Sequence, residues 1–203
     1  MSAEAATGTD RMPRDELLGR ELNVTRVIRE THDAVSIEFE SGSDLDYRPG
    51  QFLTVRIPIG ASGVRAVGRC YSLSSCPDVD ASPKVTVKRV AGGLGSNWLC
   101  DNVTAGSTLR VLPPAGTFAL EPEGAAHLFF AAGSGITPVI SMLKAALYRT
   151  RAPIFLLYAN RDRESVIFRQ ELVDLSAEFA GRLTTVDWLD SDRGIVSTDA
   201  VRA

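Results

Sequence analysis

Cysteine is scarce: Cys70, Cys76 and Cys100 are the three in 203 residues. They are too few and too irregularly spaced for a disulfide framework, a zinc site or an iron–sulfur cluster. Histidine is scarcer, with His32 and His127 the two in the chain. Neither has a partner pattern for metal binding or proton transfer, so both are expected to be structural, and no metal site is expected. No apolar run approaches the roughly 20 residues of a membrane span. There is no basic block, and the net charge of −3 is spread with both signs interspersed. That argues against nucleic acid and against a membrane as partners. Met1 to Asp10 has neither a basic start nor an apolar stretch, so it does not read as a secretory signal. Residues 1–15 are expected to be a disordered tail, and the cytoplasm is the default location.

What is present is β-rich at first. Leu22, Val24, Val27 and Ile28 mark a first strand between Glu21 and Thr31. Val35, Ile37 and Phe39 alternate with Ser36, Glu38 and Glu40, the pattern of a half-buried strand. Gln51–Ile59 and Lys84–Val90 alternate in the same way, and Thr108–Leu112 is a further short strand stopped by Pro113 and Pro114. A short helix is expected within Gly92–Val103. With the stretch Gly63–Ser75 counted as a strand, six strands with regular turn signals predict a closed antiparallel Greek-key barrel over residues 16–121.

The rhythm changes near Glu121-Pro122-Glu123-Gly124. His127–Ala132 is a continuous apolar run, as in a parallel strand buried on both faces. Helical spacing follows from Thr137 to Arg149, then a strand to Tyr158, a helix from Phe168 to Phe179 and a strand from Leu183 to Leu189. This βαβαβ alternation predicts a doubly wound parallel sheet over residues 122–203.

Three stretches carry chemistry. In Arg69-Cys70-Tyr71-Ser72-Leu73-Ser74-Ser75, Arg69 offers a fork of donors suited to a phosphate. Tyr71 offers a flat face, and the Ser72 hydroxyl can donate to a ring nitrogen. That set suits a flavin nucleotide, although alone it also fits a plain surface strand. Cys70 is expected to be buried. Gly93-Leu94-Gly95-Ser96 opens the short helix and can hold a diphosphate, with Ser96 donating; the bland alternative is a glycine loop. Gly133-Ser134-Gly135-Ile136-Thr137-Pro138 joins a parallel strand to its helix, where glycines admit a pyrophosphate to the helix N-terminus. It lacks the third glycine of the common dinucleotide fingerprint, and a tight turn is the alternative. Together they point to two nucleotides at a domain interface, a flavin on the barrel and a nicotinamide on the parallel sheet.

With these residues, and with Val85–Val90, Pro113-Pro114-Ala115-Gly116, Phe118 and Tyr158-Ala159-Asn160-Arg161, the sequence resembles the ferredoxin–NADP reductase-like superfamily. It is most similar to the reductase components of bacterial ring-hydroxylating and ketosteroid 9α-hydroxylating oxygenases, the phenylacetate-type reductases. The resemblance implies an enzyme that moves a hydride from NAD(P)H to FAD and passes electrons to an iron–sulfur protein, a ferredoxin or an oxygenase. It puts Arg69 on the FAD phosphate, Tyr71 against the flavin and Ser72 near N5 as the catalytic residue. Main chain at Val87, Lys88 and Arg89 would line the FAD, and Gly93, Gly95 and Ser96 would hold its pyrophosphate. Gly133, Gly135, Thr137 and Pro138 would serve the nicotinamide side.

There are departures. Reductases of this type continue past the third parallel strand and carry a ferredoxin domain holding [2Fe–2S]. This chain has neither, so the cluster is expected only in a longer parent. A flavin-binding fragment or subunit of a larger assembly without turnover is the alternative, and a barrel binding a protein partner is a third. The first parallel strand, with Leu128, Phe129 and Phe130, is expected at an uncovered edge. Arg161 and Arg163 could take a ribose 2′-phosphate, but Asp162 and Glu164 oppose that, which favours NADH. Trp98 and Trp188 are expected to pack.

Overall fold

The computed structural model describes residues 19–42, 45–59, 65–120 and 125–198. The expected tail, the tract Glu121–Gly124 and the chain end lie outside the described residues. Strands β1 (Arg20–Arg29), β2 (Ala34–Phe39), β3 (Phe52–Ile59), β4 (Arg65–Ser72), β5 (Lys84–Lys88) and β6 (Thr108–Val111) form one sheet, with helix α1 (Leu94–Asn102) between the last two. Its order is β4-β3-β6-β1-β2-β5, and every pairing is antiparallel. The two ends meet through the Leu73–Val85 bridge and the Ser74 N–H on the Lys84 carbonyl (2.8 Å), so the sheet closes into the expected barrel.

The barrel is filled by alternation. Leu53, Val55 and Ile57 of β3 are fully buried and meet Ile37, Phe39, Val85, Val87 and Val111 inside. The turn before β3 requires Gly50. Its φ is +97°, and a Cβ there would stand 2.1 Å from the Phe118 carbonyl oxygen.

Strand β2 departs from the half-buried expectation, because Ser36 is as buried as Ile37. A buried hydroxyl needs partners, and Ser36 has two: the Glu30 carboxylate (2.5 Å) and Thr86 of β5 (2.7 Å). Thr86 also meets Ser74 (2.8 Å), so a row of hydroxyls crosses the barrel wall.

The second half holds β7 (His127–Ala132), a 3-10 turn (Gly133–Gly135), α2 (Ile136–Arg149), β8 (Ile154–Asn160), α3 (Arg169–Glu178), β9 (Leu183–Leu189) and the short α4 (Asp190–Arg193). The three strands are parallel in the order β7-β8-β9. Among the described residues β7 pairs with β8 alone, the expected edge position. Burial on both faces is corrected: His127 and Phe129 are buried, whereas Leu128 is 66% and Phe130 55% exposed. One side of β7 faces the helices and the other faces water. Trp98 packs on the barrel core. Trp188 is partly exposed, donates its indole N–H to the Gly194 carbonyl (2.7 Å) and lies under Arg193.

Helix α2 fastens the halves together. Ser141 donates to the Ser75 carbonyl (2.6 Å). The Ser75 hydroxyl in turn meets Tyr47 (2.6 Å) and accepts the Lys84 N–H (2.8 Å). Lys144, 2% exposed, sits between Asp80 of the barrel and Glu171 of α3, each at 2.7 Å. Burial alone would depress its ammonium, but Glu171 and Asp80 outweigh burial and raise it above the ordinary value. A cation raised in this way keeps its contribution through neutral pH and loses it only as pH climbs through the raised value. Removing one partner of a buried pair strands the others. Lys144→Ala is therefore expected to cost about 3 kcal/mol in urea denaturation near neutral pH; a loss below about 1 kcal/mol would mean that Asp80 and Glu171 simply turn to water.

Candidate functional site

A cleft of about 560 Å³ opens where β4, β5 and the start of α1 converge. Strand β4 contributes Arg69, Cys70, Tyr71 and Ser72, β5 contributes Thr86 and Lys88, and Val90 and Gly92–Ser96 form the floor. Ser134 and Thr137 of the second half close its far side.

The glycine turn is built for close approach. Gly93 donates to the Val90 carbonyl (2.9 Å), and the Ser96 hydroxyl accepts the Val90 N–H (3.1 Å). Ser96 thus holds the turn shut with its lone pair and keeps its own proton to give. No side chain caps α1, whose N-cap is Gly93. A Cβ on Gly95 would come within 2.8 Å of the Arg69 stem and of Ile57, and 3.1 Å from the Tyr71 hydroxyl. Hence the Gly95 backbone, the Arg69 side chain and the Tyr71 ring form one contiguous surface. Burial pushes the Tyr71 phenol up, so it is neutral at physiological pH. Arg69 is exposed and makes one intramolecular bond, to the Gly68 carbonyl (2.8 Å).

The expectation for Val87, Lys88 and Arg89 concerns main chain; their side chains point different ways. The Val87 side chain points into the barrel core. Arg89 is drawn away to Asp101 on α1 (2.6 Å). Period-two alternation explains the split: Thr86, Lys88 and Val90 face the cleft, while Val87 and Arg89 face elsewhere. Cys70 corrects another expectation, since it is exposed and lines the cleft.

A second cleft, about 540 Å³, lies beside the first and shares Lys88 and Ser134 with it. Gly133, Asn160, Arg161, Asp33 and Arg89 also line it. Gly133 has φ +48°, Gly135 has φ −61°, and nothing lies within 4 Å of a Cβ on either. The turn is held from beneath, with Tyr158 donating to the Gly133 carbonyl (3.1 Å) and Thr137 to the Ser134 carbonyl (3.0 Å). Burial pushes the Tyr158 phenol up, and the neighbouring Asn160 amide offsets part of this. Pro138 sits in the first turn of α2, and neither it nor Gly135 lines a cleft. Sequence reasoning missed Asp33, Thr86, Val90 and Ser134. It quoted Asn160 without giving it a role.

Comparison with known proteins agrees with this division. Residues 21–120 match the family described as "Oxidoreductase FAD-binding domain" and residues 129–199 the "Oxidoreductase NAD-binding domain". The ferredoxin reductase component of a 3-ketosteroid-9-alpha-monooxygenase from Rhodococcus rhodochrous is 52% identical over 186 residues, covering 90% of this chain and 52% of that protein. The reductase component of a glycine betaine monooxygenase from Pseudomonas aeruginosa is 35% identical over 165 residues, covering 78% of this chain and 44% of its own length. The chain thus spans about half the length of the curated relatives it matches. Among solved structures, the flavohem-like FAD/NAD-binding domain of a nitric oxide dioxygenase from Vibrio cholerae superposes with a TM-score of 0.77 at 25% identity, covering 89% of this chain and 77% of that one.

The three thiols should be distinguishable. Burial pushes Cys76 up to about 11 and raises Cys100 as well, while Cys70 stands open in the cleft. Brief alkylation at about pH 8 followed by peptide mapping should find Cys70 modified first. Any occupant of the cleft should slow that modification.

Proposed function

The chain belongs to the ferredoxin reductase family of FAD- and NAD-binding oxidoreductases, and from that premise we propose that it is the flavin- and nicotinamide-binding part of an oxygenase reductase. The reaction is transfer of a hydride from NADH to FAD, followed by delivery of electrons to an iron–sulfur protein or oxygenase component. FAD, when bound, supplies the conversion of a two-electron donor into single-electron steps. The observation that carries the reading is the sharing of one cleft by Tyr71 and Ser72 of the barrel with Ser134 and Thr137 of the parallel-sheet turn. One wall suits a flavin, the opposite wall suits a nicotinamide nucleotide, and alignment of the two is what the protein contributes.

The residues present fit both groups. A side chain on Gly95 would displace Arg69, which supports close approach of a diphosphate to that backbone. Arg69 is free to fork onto phosphate oxygens, and the Ser96 proton remains to be donated. Ser72, at the end of β4, lines the cleft and is the residue we assign to orienting the reacting nitrogen of a bound flavin. Gly133, Gly135, Thr137 and Pro138 form the nicotinamide-side turn, and its open space supports entry of a pyrophosphate. Lys88 lines both clefts, where its charge is shared with Asp33 at 3.8 Å. Residues 16–121 serve as the flavin unit and 122–203 as the nicotinamide unit in this reading. A [2Fe–2S] centre belongs to a longer parent or to a partner.

The open edge of β7, with Leu128 and Phe130 exposed, favours a second reading. In it the chain is a flavin-binding unit that turns over only within a larger assembly.

Purified chain reconstituted with FAD should be yellow. Anaerobic bleaching by NADH supports the first reading, and colour without bleaching supports the second. A colourless protein after FAD addition sinks both. Gly135→Ala should leave the melting temperature unchanged or raise it, since its φ and surroundings accept a methyl. Because Gly135 lines neither cleft, nucleotide affinity should change less than about threefold; a larger loss in titration would place the pyrophosphate against Gly135. Ser72→Ala should keep the flavin but slow its reduction about tenfold in stopped flow; an unchanged rate would reduce Ser72 to a packing role.

A further inference from the structure

The second cleft contains a buried amide whose contact with the neighbouring Tyr158 phenol falls outside hydrogen-bond geometry. Asn160, at the C-terminal end of β8 and 5% exposed, has both its amide nitrogen and its amide oxygen buried without a partner in hydrogen-bond geometry. Buried polar atoms are ordinarily paired, and an orphaned pair of donor and acceptor in a cleft marks the place of a ligand group. Asn160 follows the Gly133–Gly135 turn by about 25 residues along the chain. In open parallel sheets an acidic residue roughly 20 residues beyond the turn takes the ribose hydroxyls of a dinucleotide. An amide can take the same two hydroxyls and brings no charge.

Charge enters from the other half of the molecule. Asp33, in the loop between β1 and β2, lines the same cleft. Its carboxylate lies 3.9 Å from Arg161, 3.8 Å from Lys88 and 3.8 Å from His32, and it accepts the Thr31 hydroxyl at 2.8 Å. The Arg89 N–H on the Asp33 carbonyl (2.7 Å) fixes the loop against β5. Arg161 is the cation placed to receive a phosphate on the adenosine ribose, and a barrel carboxylate already faces it. Asp162, which the sequence suggested as the opposing charge, accepts from the Ser165 N–H (2.9 Å) and hydroxyl (2.6 Å); Arg161 donates to that same hydroxyl (3.3 Å) and acts on Asp162 as well as on Asp33.

We propose that Asp33 sets the choice of nicotinamide nucleotide by neutralising Arg161 across the cleft, so that the site takes a dinucleotide with free adenosine ribose hydroxyls, held by Asn160, and rejects a 2′-phosphorylated one. This rests on the reading of the cleft as a nicotinamide-nucleotide site. The discriminating residue then belongs to the flavin-side barrel, and the nucleotide is sensed only when both halves are in place.

The test uses the adenosine end alone, so it does not depend on turnover. Calorimetric titration of the intact chain with AMP and with adenosine 2′,5′-bisphosphate gives an affinity ratio, expected to favour AMP by about tenfold. Asp33→Asn should shift that ratio about tenfold toward the bisphosphate by tightening the bisphosphate, with AMP little changed. Arg161→Ala should alter bisphosphate binding less than about twofold, because that cation is already spent on Asp33. Combined with Arg161→Ala, the Asp33→Asn shift should shrink to under about threefold. Asn160→Ala should weaken both ligands alike. An unchanged ratio in Asp33→Asn overturns the proposal. So does a tenfold loss of bisphosphate affinity in Arg161→Ala, a variant that still decides the matter if Asp33→Asn does not fold. Failure of the unaltered chain to bind either ligand overturns the nucleotide reading of the cleft, and this proposal with it.

Discussion

A single buried ammonium sets the geometry on which the rest depends. Lys144 lies between Asp80 of the barrel and Glu171 of α3 and is 2% exposed. A cation in that position cannot leave its partners without a heavy desolvation cost. Close by, Ser141 on the Ser75 carbonyl adds a second, neutral fastening. Helix α2 is thereby fixed along its length. Its N-terminal turn, carrying Ser134 and Thr137, faces the strand end that carries Tyr71 and Ser72. The short tract Ser75–Lys84 does two jobs at once, closing the barrel and receiving α2.

Two clefts that share Lys88 and Ser134 are a direct product of that docking. Neither half has a complete site of its own. The barrel brings donors and a flat ring, and the parallel sheet brings an open turn with room beside its glycines. Charge is distributed sparingly. Arg69 is left available, whereas Arg89 and Arg161 each face a carboxylate, Asp101 and Asp33 respectively. Unpaired positive charge is thus concentrated where β4 meets α1, and the Gly133–Gly135 turn offers mainly backbone and neutral side chains.

Much of the architecture was legible because it rests on local pattern. Leu53, Val55 and Ile57 alternate with polar residues and are all fully buried, and Val139, Met142, Leu143, Ala146 and Leu147 repeat at helical spacing and fill the second core. The Arg69–Ser72 strand and both glycine turns were equally plain, since each packs its residues into a few positions. What the sequence could not reveal depends on distant partners. The run His127–Ala132 is apolar throughout, and apolar periodicity cannot tell an edge strand from a central one. Leu128 and Phe130 face water because, among the described residues, nothing covers the sheet face opposite His127 and Phe129. Asp33 stands 128 positions from Arg161 in the chain, and nothing in its neighbourhood His32-Asp33-Ala34 announces the contact. Val87, Lys88 and Arg89 were grouped by resemblance for their main chain, and alternation separates only their side chains.

The row of hydroxyls across the barrel wall has a direction. A carboxylate can only accept, so Ser36 must give its proton to Glu30. Thr86 must then give to Ser36, and Ser74 divides its one proton between Thr86 and the Lys84 carbonyl (3.3 Å). Each hydroxyl has one proton, and Thr86 has used its own. Thr86 therefore has no hydrogen to offer the cleft that it lines. A group meeting that hydroxyl would have to bring the proton itself. Glu30, on the far side of the wall, thus fixes the polarity of a surface it never touches.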